Sequence, residues 1–409
     1  MEPVFASPAR RLMFGGLLMW VMVAGTSTIA VIPVLASFLI DDFGISRTEL
    51  GGLGAAGGLL GALFSPYAGR VTDRIGGRNS AATVLVGAAL AAVLLAAAPV
   101  FAALFVGVIV ASVTGSGGNP STNKLIAAAI APGRRGLLTG LKQTGPQVGS
   151  LLAGLLAPWG ATVIGWRATL LVMAGLLAAP VPFFLRIIPG DRPAPRVGGE
   201  ALSRLPTEIW WVAVYGALLG FGGGAIFLLP LFVEEELGQT PRVAGLAAAL
   251  VGAVAILGRL QWGRIVDRRA TPARAMMMLA LLAMVAVVFM QLSISSGIGW
   301  MWLGATVFAV SASSWTVVGA LAVIDIGGVS SAGRASGIVW FGFLGGFGIG
   351  PPVFGFTVDQ TGSYALMWWL ALTAFALAAL LIAVWTISRH RSRGSHSREM
   401  SSQPSGRSR

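Results

Sequence analysis

Twelve long apolar runs constrain this chain more than any other feature of its sequence. A helix needs about 20 apolar residues to cross the hydrocarbon core of a bilayer. The chain has 409 residues, 56% of them hydrophobic, which is too apolar for an ordinary soluble protein. The sequence therefore predicts an all-α integral membrane protein with twelve transmembrane helices. The predicted spans are residues 12–40, 47–69, 79–98, 101–130, 136–159, 165–187, 208–234, 242–263, 272–293, 298–325, 334–357 and 363–387.

The composition excludes most classes of catalytic site. The chain has no cysteine, and its two histidines, His390 and His396, lie in the tail. A polytopic membrane enzyme, the most distant alternative, would need an embedded Ser–His pair, metal ligands or paired aspartates. No Asp or Glu falls in the middle of a predicted span. We therefore expect a protein that is not an enzyme, with no catalytic residue, no metal and no cofactor.

The charges predict how the chain lies in a membrane. The net charge of +13 does not indicate a nucleic-acid partner, because the basic residues lie in short connections between apolar runs. Arginines concentrate on one side of the predicted bilayer, whereas the other side holds only Arg47, Arg167 and Arg242. Basic loops remain on the cytoplasmic side. The sequence predicts a multi-pass protein of the inner or plasma membrane with both termini in the cytoplasm.

A charged turn recurs at half the chain length. Residues 69–78 separate the second and third runs, and a related turn at residues 263–269 follows 194 positions later. Such a repeat indicates an internal duplication. Both turns resemble the signature loop of the major facilitator superfamily, G-x-L-A-D-R-x-G-R-R. The first turn matches at Gly69, Asp73, Arg74, Gly76 and Arg78, and the second at Gly263, Asp267 and Arg268.

This resemblance, which covers nearly the whole chain, implies two pseudo-symmetric halves of six helices with a substrate site between them. Repeated residues agree with it, since Pro33 and Pro230 lie 197 positions apart, as do Gly145 and Gly342. We predict an N-terminal half at residues 1–187, a cytoplasmic linker at 188–206, a C-terminal half at 207–387 and a disordered basic tail at 388–409.

The resemblance also implies a cytoplasmic gate. Asp73 would meet the positive N-terminus of span 11 near Arg334, and Asp267 would meet the start of span 5 near Arg135. The alternative is that the arginines of these turns only set the topology. The predicted gate residues are Gly69, Asp73, Arg74, Gly76, Arg78, Asp267, Arg268, Arg135 and Arg334.

Spans 4 and 5 carry polar residues inside the membrane, namely Asn119, Asn123, Lys124, Lys142 and Gln143. Embedded polar groups are costly and are functional candidates for that reason. Both lysines lie about nine residues from the turn between the spans, so they start at similar depths. We interpret the group as a cationic, hydrogen-bonding patch for a carboxylate or another small anion. The alternative is that each lysine snorkels to lipid phosphates.

Three further side chains are candidate substrate contacts. Thr26 lies in the middle of span 1, and Trp315 and Trp340 lie far from either membrane surface. Each has a structural alternative. A threonine in a helix often bonds to its own backbone, and a single tryptophan is more often a packing residue.

The function predicted from these features is secondary transport of a small organic or inorganic anion by alternating access. The chain would act as a monomer, and whether a proton moves with the substrate is left open. The alternative is a drug/proton antiporter, because Gly145, Pro146 and Gly149 partly match the signature of those exchangers. We interpret these three residues as helix-packing positions. The lack of an acid at mid-span, together with the embedded lysines, favours an anionic substrate.

Overall fold

The computed structural model describes residues 8–130, 136–190, 206–268 and 271–402, and within these ranges the chain is helical without strands. In the first half the helices are Pro8–Ala30, Ala36–Phe43, Arg47–Ile75, Gly77–Ala96, Phe101–Gly115, Gly118–Ala129, Gly136–Gln143, Gly145–Ile164, Trp166–Ala178 and Val181–Ile187, with a 3-10 turn at Pro33–Leu35. In the second half they are Glu208–Gly223, Leu229–Leu231, Pro241–Arg268, Pro272–Ser296, Ile298–Val310, Trp315–Thr361 and Ala365–Ser402. Shorter turns of 3-10 helix lie at Gly224–Leu228 and Ala312–Ser314, and a π-helical turn lies at Phe232–Glu236.

These helices form twelve spans, which confirms the predicted fold class. In the part of the chain that the structure describes, eleven segments are long and apolar enough to cross a membrane. Span 2, Arg47–Ile75, is the twelfth; its glycines lower its hydropathy, but its 29 residues exceed the length a crossing needs. The others, in chain order, are Arg10–Phe43, Gly77–Ala96, Phe101–Ala129, Leu138–Ile164, Trp166–Ile187, Glu208–Glu236, Pro241–Val266, Pro272–Ser296, Ile298–Val323, Ala335–Thr361 and Ala365–Ser388.

The ends of the spans follow from local sequence signals. Span 2 begins with a capping box, in which the Ser46 hydroxyl accepts from the Glu49 N–H and the Glu49 carboxylate accepts from the Ser46 N–H. Spans 1 and 7 are each followed by a left-handed glycine, Gly44 with φ of 63° and Gly238 with φ of 62°. Other residues rarely adopt this conformation, so glycine is favoured at both matching turns.

The two halves repeat the same packing. An added Cβ at Gly145 of span 5 would lie 2.6 Å from the carbonyl of Met19 in span 1, so the two backbones approach closely. In the second half Gly342 of span 11 approaches the carbonyl of Ala213 in span 7 in the same way. Met19 and Ala213 lie 194 positions apart in the sequence. The predicted pseudo-symmetry is therefore present as a repeated contact between equivalent helices.

Spans 10 and 11 belong to one continuous helical trace, Trp315–Thr361, although the sequence predicted a break between them. The chain nevertheless reverses direction inside this segment. The ring centroids of Trp315 and Phe343 lie 6.4 Å apart, whereas 28 residues of straight helix would separate them by about 42 Å. The two spans are therefore antiparallel neighbours, as the fold requires.

Part of the predicted tail, residues 388–402, lies within the last helix. The last helix, Ala365–Ser402, continues past the end of span 12. Extending an existing helix adds one hydrogen bond per residue without the cost of a new nucleus. Most of the predicted linker at residues 188–206 lies outside the described residues.

The two membrane faces of the bundle differ in charge. We name the face that holds Asp41, Asp42, Glu235 and Asp359 the acidic face, and the face that holds Arg70, Arg74, Arg78, Arg186 and Arg264 the basic face. Near the acidic face the halves are closely packed. An added Cβ at Gly51 of span 2 would lie 2.5 Å from the Pro351 backbone of span 11, and one at Gly154 of span 5 would lie 2.5 Å from Gly245 of span 8.

Towards the basic face the halves separate. An added Cβ at Gly61 or Gly69 in span 2, or at Gly337 or Gly345 in span 11, would meet nothing within 4 Å among the described residues. Near this face Lys124 donates hydrogen bonds to span 2 of its own half. In the described part of the chain, the halves are thus closely packed at the acidic face and separated at the basic face.

Candidate functional site

Lys142 is the most deeply embedded cation of the N-terminal half. Its side chain is fully buried, and its Nζ donates hydrogen bonds to Asn119 Oδ1 at 3.0 Å and to Thr122 Oγ1 at 2.9 Å. Both acceptors are neutral groups of span 4. An ammonium has three N–H donors, so these two bonds leave one donor for a further acceptor. The arrangement joins Lys142 and Asn119, two of the predicted substrate contacts.

The chain forms this site at a break in span 5. The helix Gly136–Gln143 ends just after Lys142, and the next helix begins at Gly145. Gly145 and Gly149 lie against span 1, which draws span 5 close to the bundle interior. Thr122 donates its own hydroxyl proton to the Gly118 carbonyl at 2.6 Å, which leaves its oxygen lone pairs for Lys142.

Lys124 lies elsewhere, although it starts at a depth similar to that of Lys142. Its Nζ donates to the backbone carbonyls of Thr72 at 3.1 Å and Asp73 at 3.3 Å, and it pairs with the Asp73 carboxylate at 3.4 Å. A cation at the C-terminus of a helix satisfies its free carbonyls and complements the helix dipole. The structure thus places Lys124 at the end of span 2 and does not bring it together with Lys142.

Arg259 in span 8 is an embedded cation that our sequence analysis did not single out. Its guanidinium donates to the Ser313 carbonyl at 3.1 and 3.3 Å, where the 3-10 turn Ala312–Ser314 interrupts span 10. A helix interruption frees carbonyls that need a donor. The signal was present in the sequence, because an arginine within the apolar stretch at residues 253–262 is a functional candidate by default.

Lys142 and Arg259 lie at the same depth on facing spans of different halves. Spans 5 and 8 are antiparallel, and Gly252 of span 8 lies against the backbone of Gln147 and Leu151 of span 5. Counting seven residues from these contacts towards the basic face covers about 10 Å along each helix. In span 8 the count runs from Gly252 to Arg259, and in span 5 it runs from residues 147–151 to residues 140–144. Lys142 and Arg259 therefore lie at a common level, one in each half.

Two of the other predicted substrate contacts, Thr26 and Trp315, form structural contacts within their own half. Thr26 Oγ1 donates to the Met22 carbonyl of its own helix at 3.0 Å. Trp315 is 2% exposed and packs against Tyr215, with ring centroids 5.1 Å apart, inside the C-terminal half. These contacts give no support to a direct role of Thr26 or Trp315 in binding.

Three predicted contacts remain accessible. Trp340 is 39% exposed and meets Phe343 edge-on. Asn123 and Gln143 are also exposed. Asn123 lies one helical turn beyond Asn119 on span 4, so both amides share one face. A substrate that reaches Asn119 can therefore also meet Asn123.

The predicted gate is described only on its N-terminal side. Gly76, with φ of 85°, ends span 2 and permits the tight turn into span 3, while Arg78 donates to the Leu185 carbonyl of span 6. Arg74 is exposed, and Gly69 has open space beside it. Arg135 lies outside the described residues, as do the side chains of Asp267, Arg268 and Arg334.

A polar network between the halves lies at the acidic face. Asp359 at the end of span 11 accepts from the backbone N–H groups of Arg47 and Thr48 at the start of span 2, at 3.2 and 2.9 Å. The Arg47 guanidinium pairs with Asp359 at 3.3 Å and with Glu235 of span 7 at 2.7 Å. The tyrosine hydroxyl of Tyr364 donates to the same Glu235. This network ties span 2 to the C-terminal half.

Known proteins with similar sequences are transporters. The "Nitrite extrusion protein" of Bacillus subtilis (strain 168) is 28% identical over 262 residues, which cover 62% of this chain and 63% of that protein. The "Probable nitrate/nitrite transporter NarK2" of Mycobacterium tuberculosis (strain ATCC 25618 / H37Rv) is 29% identical over 393 residues, which cover 88% of this chain and 92% of that protein.

The fold is also shared with solved structures. A bacterial homolog to the human lysosomal transporter Spinster, in an inward-facing and occupied conformation, superposes with a TM-score of 0.75 at 16% identity, covering 94% of this chain and 98% of that chain. The family model described as Major Facilitator Superfamily matches residues 17–325 and 212–407. The chain therefore belongs to the Major Facilitator Superfamily.

Proposed function

We propose that the protein is a secondary transporter of a small anion that works by alternating access. The observation that carries this proposal is the pair of embedded cations, Lys142 and Arg259, which lie at one depth on the two halves and bond only to neutral groups in the described structure. Charges inside a membrane protein are costly unless they meet a counter-charge or water. An anion between the halves supplies the missing counter-charge.

The relatives support the anionic class, since two of them are described as nitrate or nitrite transporters. Both proposed cations come from one chain, which supports a transporter that works as a monomer. We further infer that the basic face is cytoplasmic, because arginine-rich ends of spans remain on that side. The structure then represents the state open to the cytoplasm, in the inner or plasma membrane.

In alternating access, the contacts at the two ends of the bundle open and close in turn. When the halves rock, contacts at the acidic face must break before an anion can enter from outside. The network of Asp359, Arg47 and Glu235 is the polar part of that outer closure. At the cytoplasmic end, we expect Asp73 to leave Lys124 and to meet the start of span 11 when the cavity closes. An anion bound by both cations would draw the halves together.

Binding to the purified protein tests this function. Isotherms should be measured for nitrite, nitrate and a short monocarboxylate, and in parallel for a panel of lipophilic cationic drugs. We expect saturable binding of at least one anion that weakens as salt rises, because the interaction is between charges. Binding confined to the cationic panel would replace the proposed function with that of a drug/proton antiporter.

A further inference from the structure

A groove on the side of the N-terminal half runs along span 3. It encloses about 470 Å³ and is lined on span 3 by Asn79, Thr83, Val86 and Leu90. Val110 of span 4 and Leu185 of span 6 form its walls. The groove lies apart from the proposed anion site, which is built by spans 4, 5 and 8.

The depth of the groove matches one leaflet of a bilayer. Asn79 lies near the start of span 3, and Leu90 lies eleven residues further along the same helix. This distance is about 16 Å of helix, and one leaflet contributes about half of the roughly 30 Å hydrocarbon core. The groove therefore extends from the membrane surface at the basic face to the middle of the bilayer.

The inside of the groove suits an apolar chain. Val86 is 52% exposed and Leu90 is 49% exposed, so both present apolar surface. Two polar side chains along the groove already donate hydrogen bonds locally. Asn79 Nδ2 donates to the Ile75 carbonyl and Thr83 Oγ1 donates to the Asn79 carbonyl, both at 3.0 Å. A ligand in this groove has little to gain from hydrogen bonding, and burial of hydrocarbon is the main available contribution.

The end of the groove at the basic face is cationic. Arg78 donates to the Leu185 carbonyl and so lies at the end of the wall formed by span 6. Arg186 is exposed in the last turn of the helix Val181–Ile187, next to Leu185. An apolar groove of leaflet depth that ends beside two arginines has the polarity of a phospholipid with a negative headgroup.

We propose that this groove is a binding site for an anionic phospholipid of the leaflet at the basic face. One acyl chain lies along span 3 from Asn79 to Leu90, and the headgroup phosphate lies beside Arg78 and Arg186. The site is independent of the transported substrate.

Lipid titration of the purified protein in detergent tests the proposal. The melting temperature is measured against phosphatidylglycerol and against phosphatidylcholine with the same acyl chains. We expect a saturable rise, with a half-saturating concentration of phosphatidylglycerol at least about fivefold below that of phosphatidylcholine, as one interfacial arginine provides. Equal responses to the two lipids would overturn the proposal.

Matched variants separate the groove from the rest of the lipid-facing surface. Val86→Trp fills the groove and should abolish the saturable rise, whereas Val93→Trp, on the same span outside the groove, should retain it. Arg186→Gln should raise the half-saturating concentration of phosphatidylglycerol about fivefold. The control Arg274→Gln, on the basic face of the other half, should not. A wild-type response from Val86→Trp or from Arg186→Gln would contradict the site.

Discussion

The carboxylate of Asp359 caps the N-terminus of span 2 by accepting a hydrogen bond from the backbone N–H of Thr48 at 2.9 Å. The free N–H groups of a helix start form a natural site for a negative charge. The predicted cytoplasmic gate uses the reverse relation, in which Asp73 of span 2 meets the start of span 11. Spans 2 and 11 are antiparallel, since Gly51 meets Pro351 and Gly58 meets Gly348. Span 2 thus carries an aspartate near its end, as span 11 does, and we expect Asp73 to face the start of span 11 once the basic face closes.

This relation predicts that Asp359→Asn weakens the closure at the acidic face. Hydrogen bonds to a charged group contribute about 1.5–3 kcal/mol, so the population open at this face should rise about 10- to 100-fold. The chain has no cysteine, so a single cysteine introduced at Ala56 of span 2 reports access from this face by its labelling rate. The control is Asp42→Asn, whose carboxylate pairs with Arg167 within the N-terminal half. An unchanged labelling rate in Asp359→Asn would remove Asp359 from the gate.

Asp73 is expected to exchange partners during transport. Asp73→Asn should slow transport strongly while leaving membrane expression normal, because it removes a gate charge and no span. Lys124→Gln should favour closure at the basic face, since Lys124 holds Asp73 to the N-terminal half in the open state. Cysteine labelling at Leu63, which is 58% exposed, should become slower in Lys124→Gln. Normal transport by a normally expressed Asp73→Asn protein would contradict the exchange.

The sequence was sufficient to predict the spans and their duplication, because these depend on local pattern and composition. It also placed Lys142 and Asn119 in one candidate site, and in the structure these two side chains are hydrogen-bonded. The sequence could not show that Lys142 and Lys124 contact different partners. Both lie at similar depth, and their different partners depend on how spans 4 and 5 are rotated about their axes. Tertiary packing determines that rotation, and the helical period alone does not.

The two tryptophans near the cavity should differ sharply in stability. Trp315 is 2% exposed, and Trp315→Ala should destabilise the protein by about 3–5 kcal/mol through the cavity it leaves. Trp340 is 39% exposed, so Trp340→Ala should lower the melting temperature much less. Thermal unfolding of the two purified variants in the same detergent compares them directly. Equal losses would place Trp340 in the packed core as well.

Lys142 should be required for anion binding and much less for folding. Lys142→Gln removes a buried charge while keeping a hydrogen-bonding side chain, so the protein should fold and bind the anion at least about tenfold more weakly. Lys142→Arg keeps the charge in a different shape and should retain part of the affinity. The control Asp42→Asn should bind almost as tightly as the wild type, because this carboxylate pairs with Arg167 at the acidic face, away from Lys142. Isothermal titration gives the three dissociation constants.

The claim that one anion is held by both halves is tested most directly by a double-mutant cycle on Lys142 and Arg259. The dissociation constant of the best-binding anion is measured for the wild type, Lys142→Gln, Arg259→Gln and the double variant. Two cations that hold one anion act together, so the double variant should lose less affinity than the sum of the single losses, with a coupling of at least about 0.5 kcal/mol. Strictly additive losses, or wild-type affinity in either single variant, would contradict a shared anion site.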